Sequence, residues 1–62
     1  MDTLEIINKI YSLKDNLSAT DYQAIKYAEG ELSAEEYAET KEKRKAWRAE
    51  INSLEAELRS LI

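Results

Sequence analysis

From Ser33 onward, the side chains of Tyr37, Thr40, Arg44, Trp47, Ile51, Leu54, Leu58 and Leu61 fall alternately three and four residues apart. That period keeps one stripe of an α-helix turned toward a partner. The stripe is apolar toward its C-terminal end, whereas Thr40 and Arg44 stand where core residues are expected. Upstream, Ile6, Ile10, Leu13 and Leu17 form a second stripe. Leu4, Ile7 and Tyr11 widen it into a face broad enough for more than one neighbour. Between the two lies a short segment with Tyr22, Ile25 and Ala28 on its apolar side. The pattern means helix packed on helix.

Capping residues divide the chain into three helices, at about 3–17, 19–29 and 34–61. Asp2 can cap the first, with Glu5 three residues later in the capping-box position. A break is expected at Leu17–Asp21, where Ser18 followed by Asp21 and Thr20 followed by Gln23 are competing N-cap signals. If Ser18 caps, Leu17 and Tyr22 occupy hydrophobic-staple positions. Gly30 is the natural stop, because a helix C-terminus often needs a residue at positive φ. Ser33 with Glu36 forms the clearest capping box, and Leu32 with Tyr37 the matching staple.

These lengths suggest an all-α single domain spanning 1–62. Helix three would be ~42 Å long, and helices one and two ~22 and ~16 Å, so the two short ones laid end to end match the long one. The expectation is a bent helical hairpin with coiled-coil-like packing, helices one and two running antiparallel to helix three. Trp47–Leu61 would face helix one and Tyr37–Arg44 would face helix two. Much of helix one's face would stay uncovered, which points to a homo-oligomer: a dimer through helix one and the Leu54–Ile62 end.

Composition narrows the function classes. With 62 residues the chain is short, and it has no Cys, no His, no Pro and a single Gly. Disulfides and thiolate sites are excluded, and a structural zinc site is disfavoured. Without His or Cys, and without a glycine-rich phosphate loop, an enzyme is not expected, nor is any cofactor. No apolar run is long enough to span a membrane. The acidic start MDTLEI lacks the basic region of a secretory signal, so a cytosolic setting is expected. The net charge of −4 is uneven. Residues 1–40 carry nine acids and three bases, and residues 41–62 carry six bases and four acids.

The candidate contact residues follow from that asymmetry. Lys41, Arg44, Lys45 and Arg48 share one side of helix three and have few acidic neighbours within it. The plainer reading is a solvated face bridged to Asp21, Glu29 or Glu31. The functional one is an anion-binding patch with Trp47 and Tyr37 as stacking surfaces. Nine acids in the preceding segment weigh against nucleic acid. Glu31, Glu35, Glu36 and Glu39 crowd the start of helix three, where acids offset the helix dipole, and that reading outweighs a cation site. Tyr22 and Tyr37 are expected in the core through their staple roles. Tyr27 lies off that side and is a candidate partner contact.

The string Thr20-Asp21-Tyr22-Gln23-Ala24-Ile25-Lys26-Tyr27-Ala28-Glu29-Gly30 is followed by Leu32-Ser33-Ala34-Glu35-Glu36-Tyr37. After Lys41 and Arg44 comes Trp47-Arg48-Ala49-Glu50-Ile51-Asn52-Ser53-Leu54-Glu55. Together, over about Leu13 to Glu57, these resemble a helical segment of bacteriophage and prophage proteins. It occurs at the C-terminal ends of some tail-fibre-assembly and other tail-associated proteins, and as small stand-alone phage proteins. The resemblance implies a phage origin, a role in binding or assembly, and a phage structural or host protein as partner. It carries over no catalytic residues. The implied location is the cytoplasm of the bacterial host or the virion. The larger members have a domain ahead of the segment. A free-standing copy could instead be a small inhibitor of a host defence protein, as anti-CRISPR proteins are, its acidic face acting as the mimic.

Overall fold

The computed structural model describes residues 2–61. Two α-helices account for nearly all of them: α1, Thr3–Ala28, and α2, Ala34–Leu61. The all-α expectation holds, but the three-helix division does not. Helices one and two are a single 26-residue rod, unbroken through Leu17–Asp21. A rod of that length is ~39 Å long, and the 28-residue α2 is ~42 Å. Both match the longest extent of the molecule, 43 Å, against 15 and 14 Å across. The architecture is a straight antiparallel hairpin.

The ends of the rods are set by local hydrogen bonds. At the start of α1, the Glu5 amide donates to Asp2 Oδ1 at 2.9 Å, the expected cap. At its end, the Glu31 amide donates to Lys26 O at 2.8 Å and the Gly30 amide to Tyr27 O at 3.1 Å. This pair of bonds is the Schellman closure, which needs a left-handed residue just past the cap. Gly30 supplies it at φ 81°. Ser33 and Glu36 then open α2 with a reciprocal box: each backbone N–H donates to the other's side chain at 3.1 Å.

Physical reasons for the missing break lie in Thr20. Its hydroxyl, offered as a cap, instead donates back to Asn16 O and Leu17 O, both at 3.0 Å. Short hydroxyl side chains choose between capping and such back-bonding, and the surroundings decide. Here packing decides. The seam of α1 continues without interruption through Ile6, Ile10, Leu13, Leu17, Thr20, Ala24 and Tyr27, again alternating four and three. A break at Ser18 would have thrown its second half out of line with α2.

The core is short. Ile6, Ile10, Ile51 and Leu54 are buried together, with Leu13, Leu17 and Leu58 packed around them. Tyr37 is buried at the other end. A fully buried Ile or Leu contributes about 1.5–3 kcal/mol, so so few of them leave a narrow margin. The chain exposes 4628 Å² for its 7.2 kDa. A compact monomer of that mass would expose about 4,100 Å². As expected, the Trp47–Leu61 half of α2 faces the first half of α1, and the Tyr37–Arg44 half faces the second.

Candidate interaction surfaces

Halfway along the hairpin the apolar seam gives way to a polar layer. Arg44 reaches from α2 across to α1, where its Nη1 donates to Leu17 O at 2.8 Å, Thr20 Oγ1 at 2.7 Å and Asp21 Oδ1 at 3.0 Å. Beside it, Thr40 Oγ1 donates to Gln23 Oε1 at 2.8 Å. The Arg44 side chain is 15% exposed and Asp21 57%. Arg44 is therefore a structural group, and it separates from the basic set with which the sequence grouped it. Lys41, Lys45 and Arg48 stay exposed on the outer side of α2. Among the described residues, the bridge from this run to the acids of α1 is the one to Asp21; Glu29 and Glu31 take no part in an ion pair.

Tyr27 is partly covered. Its ring stacks on that of Tyr37, with centroids 4.6 Å apart and planes 12° from parallel. The pair closes the hairpin next to the loop, and Tyr27 stays 37% exposed, as expected. Glu31, Glu35 and Glu39 are exposed, as is Glu36. Glu39 pairs with Lys43 at 3.2 Å, one turn away on the same helix. Glu36 has its carboxyl held below the usual range. The Ser33 backbone N–H is the main cause, followed by the Ser33 hydroxyl; desolvation opposes them, and the Lys26 charge adds the least. These acids are organised around the start of α2.

The residues that sequence reasoning misplaced make the larger surface. Tyr22, expected in the core, is 69% exposed, and Ile25 beside it is 56% exposed. Because α1 is continuous, Thr20, Ala24 and Tyr27 turn toward α2, and Tyr22 and Ile25 turn outward. They line up with Leu4 and Tyr11, which are 67% and 64% exposed. Half-buried Ile7 belongs to the same stripe. The 3–4 spacing from Ile6 to Tyr27 was the signal that could have revealed this. The outer side of α2 has nothing comparable: of its large apolar side chains, Leu61 alone among the described residues is prominently exposed.

Two shallow grooves flank the seam. One, about 170 Å³, lies between Ile7, Ile10, Tyr11 and Lys14 of α1 and Glu55 and Leu58 of α2. The other, about 390 Å³, is lined by Tyr22, Gln23, Lys26, Leu32, Glu36 and Thr40. Over it the Lys26 ammonium sits 5.5 Å from the centre of the Tyr22 ring. Among the described residues no cluster of acids converges to hold a metal ion, and no helix is long and apolar enough to cross a membrane. Comparison of the chain with protein-family models, with curated proteins and with solved structures returned no match.

Proposed function

We propose that the chain is a non-catalytic helical module that works by protein–protein contact, its contact surface being the outer stripe of α1. The observation that carries this is the concentration of exposed apolar side chains on that one face: Leu4, Tyr11, Tyr22 and Ile25. They form two apolar patches, Leu4–Tyr11 and Tyr22–Ile25, on one side of the rod, and exposed apolar patches mark interaction sites. The resemblance of residues 13–57 to phage tail-associated segments makes a phage structural protein the first candidate partner.

A second reading, a phage inhibitor of a host protein, would use the exposed carboxylates Glu31, Glu35 and Glu39 instead. Capture experiments separate the two. Immobilised wild-type chain is compared with a Tyr11→Glu/Ile25→Glu variant and with a Glu31→Gln/Glu35→Gln/Glu39→Gln variant. The first reading expects virion proteins to be retained by wild type and by the glutamine variant, and lost with the glutamate variant. Retention of a host nuclease that is lost only with the glutamine variant would favour the second. Capture indifferent to both variants would remove both.

A further inference from the structure

We propose that the outer stripe of α1 is the contact of a symmetric antiparallel dimer, in which α1 of one copy packs on α1 of a second about a two-fold axis near Lys14–Asp15. The proposal rests on reading that stripe as an interaction surface, and it commits the surface to a second copy of this chain in place of a phage structural protein.

The outer apolar positions of the stripe are placed symmetrically about its middle. Leu4 and Ile25 stand equally far from the midpoint between residues 14 and 15, as do Ile7 with Tyr22 and Tyr11 with Ser18. A two-fold contact uses the same patch on both copies, so a self-complementary patch is what it requires. Antiparallel pairing sets Leu4 level with Ile25 of the second copy, and Ile7 level with its Tyr22. The bulky Tyr11 comes level with the small Ser18. Around the axis sit two Lys14 and two Asp15, with no net charge. Parallel pairing would set every residue level with itself, Lys14 on Lys14 and Tyr11 on Tyr11, with no small side chain to receive the ring.

Full burial of the exposed apolar side chains would reach the size of a small specific interface. The exposed portions of Leu4, Tyr11, Tyr22 and Ile25 amount to roughly 600 Å² per copy, given that an aromatic side chain can bury about 150–250 Å². Two copies would cover roughly 1,200 Å², the lower edge of specific interfaces. The outer face of α2, charged along its length, offers no equivalent. The dimer would be an open row of four helices, with the α1 pair central and an α2 on each flank.

Sedimentation equilibrium on the full chain, together with cross-linking, tests this. The expected result is a dimer that dissociates on dilution. The Tyr11→Glu/Ile25→Glu variant should weaken it by about 100-fold or more, because each change would bury a charge. Its helical circular dichroism should be unchanged, since Ile25 is turned away from α2 and Tyr11, at the open rim of its groove with Glu55 and Leu58, is 64% exposed. The chain has no cysteine, so single cysteines can be placed freely. With a short bis-maleimide, Asp15→Cys should cross-link to its own mate. Leu4→Cys should not, because its mate lies about 30 Å away along the axis. A mixture of Leu4→Cys and Ile25→Cys should give the mixed dimer.

Three outcomes would overturn the proposal: a monomer at concentrations up to about 1 mM, a dimer cross-linked through Leu4→Cys alone, or a dimer indifferent to the glutamate changes. A monomer that still captures a virion protein, and loses it with the glutamate variant, would sink the dimer and leave the interaction reading standing.

Discussion

Arg44 is a polar residue in an apolar register, and its surroundings explain why the seam tolerates it. Its Nη1 donates to a carbonyl, a hydroxyl and a carboxylate, and among the described residues no buried side-chain nitrogen or oxygen lacks a partner. Hydrogen bonds to a charged group contribute about 1.5–3 kcal/mol each where they are shielded, and less at the half-exposed Asp21 end. Arg44→Ala is expected to lower unfolding stability by about 1–3 kcal/mol, through lost bonds and lost packing of the long stem. Arg44→Met should recover most of that, because an apolar side chain of similar length often replaces a buried ion pair at little cost. Urea unfolding followed by circular dichroism measures both. Equal damage from Ala and Met would mean that the polar bonds, not the filled seam, carry the stability. At Glu36 the relevant variable is pH. Its carboxyl is held low in the folded chain, so its stabilising contribution is present above the unfolded-state pKa. That contribution is lost as pH falls through the lower, folded value. Glu36→Gln should therefore flatten the acid side of a thermal-stability profile below the usual carboxylate range. An unchanged acid slope would contradict the role given to the box with Ser33.

Among the elements, α2 was legible in full and α1 only in part. The reason is visible in particular residues. Ser33, Glu36 and Gly30 have no competing use, so their local preferences were realised as written. Ser18, Thr20 and Asp21 carry the same kind of cap signal, but α2 runs alongside them and rewards a continuous partner. Thr20 turns inward to receive Arg44, and its hydroxyl bonds back to the preceding turn instead of opening a new helix. Local chemistry allowed either outcome, and the 28-residue length of α2 selected one. The same choice moved Tyr22 and Ile25 from the expected core to the surface, and stacked Tyr27, still exposed on one side, on Tyr37. The breadth of the first apolar face, with Leu4, Ile7 and Tyr11, could be read directly. That it extends to Tyr22 and Ile25 could not be read without knowing that the helix is unbroken.

At the scale of the whole molecule, a two-rod hairpin buries one stripe of each rod and leaves every other face to water. α2 meets that condition with charge, and α1 does not. The proposed contact depends on this asymmetry, and the asymmetry depends on α1 being continuous, because a break at Ser18 would separate Leu4–Tyr11 from Tyr22–Ile25. Hydrogen exchange at the Ser18, Ala19, Thr20, Asp21 and Tyr22 amides tests that continuity most directly. The first amides of a new helix have no intrahelical acceptor. In an unbroken rod, these five amides should exchange as slowly as those of Leu13–Leu17. Exchange at the rate of an unprotected amide would show a break, and the two-faced α1 would go with it.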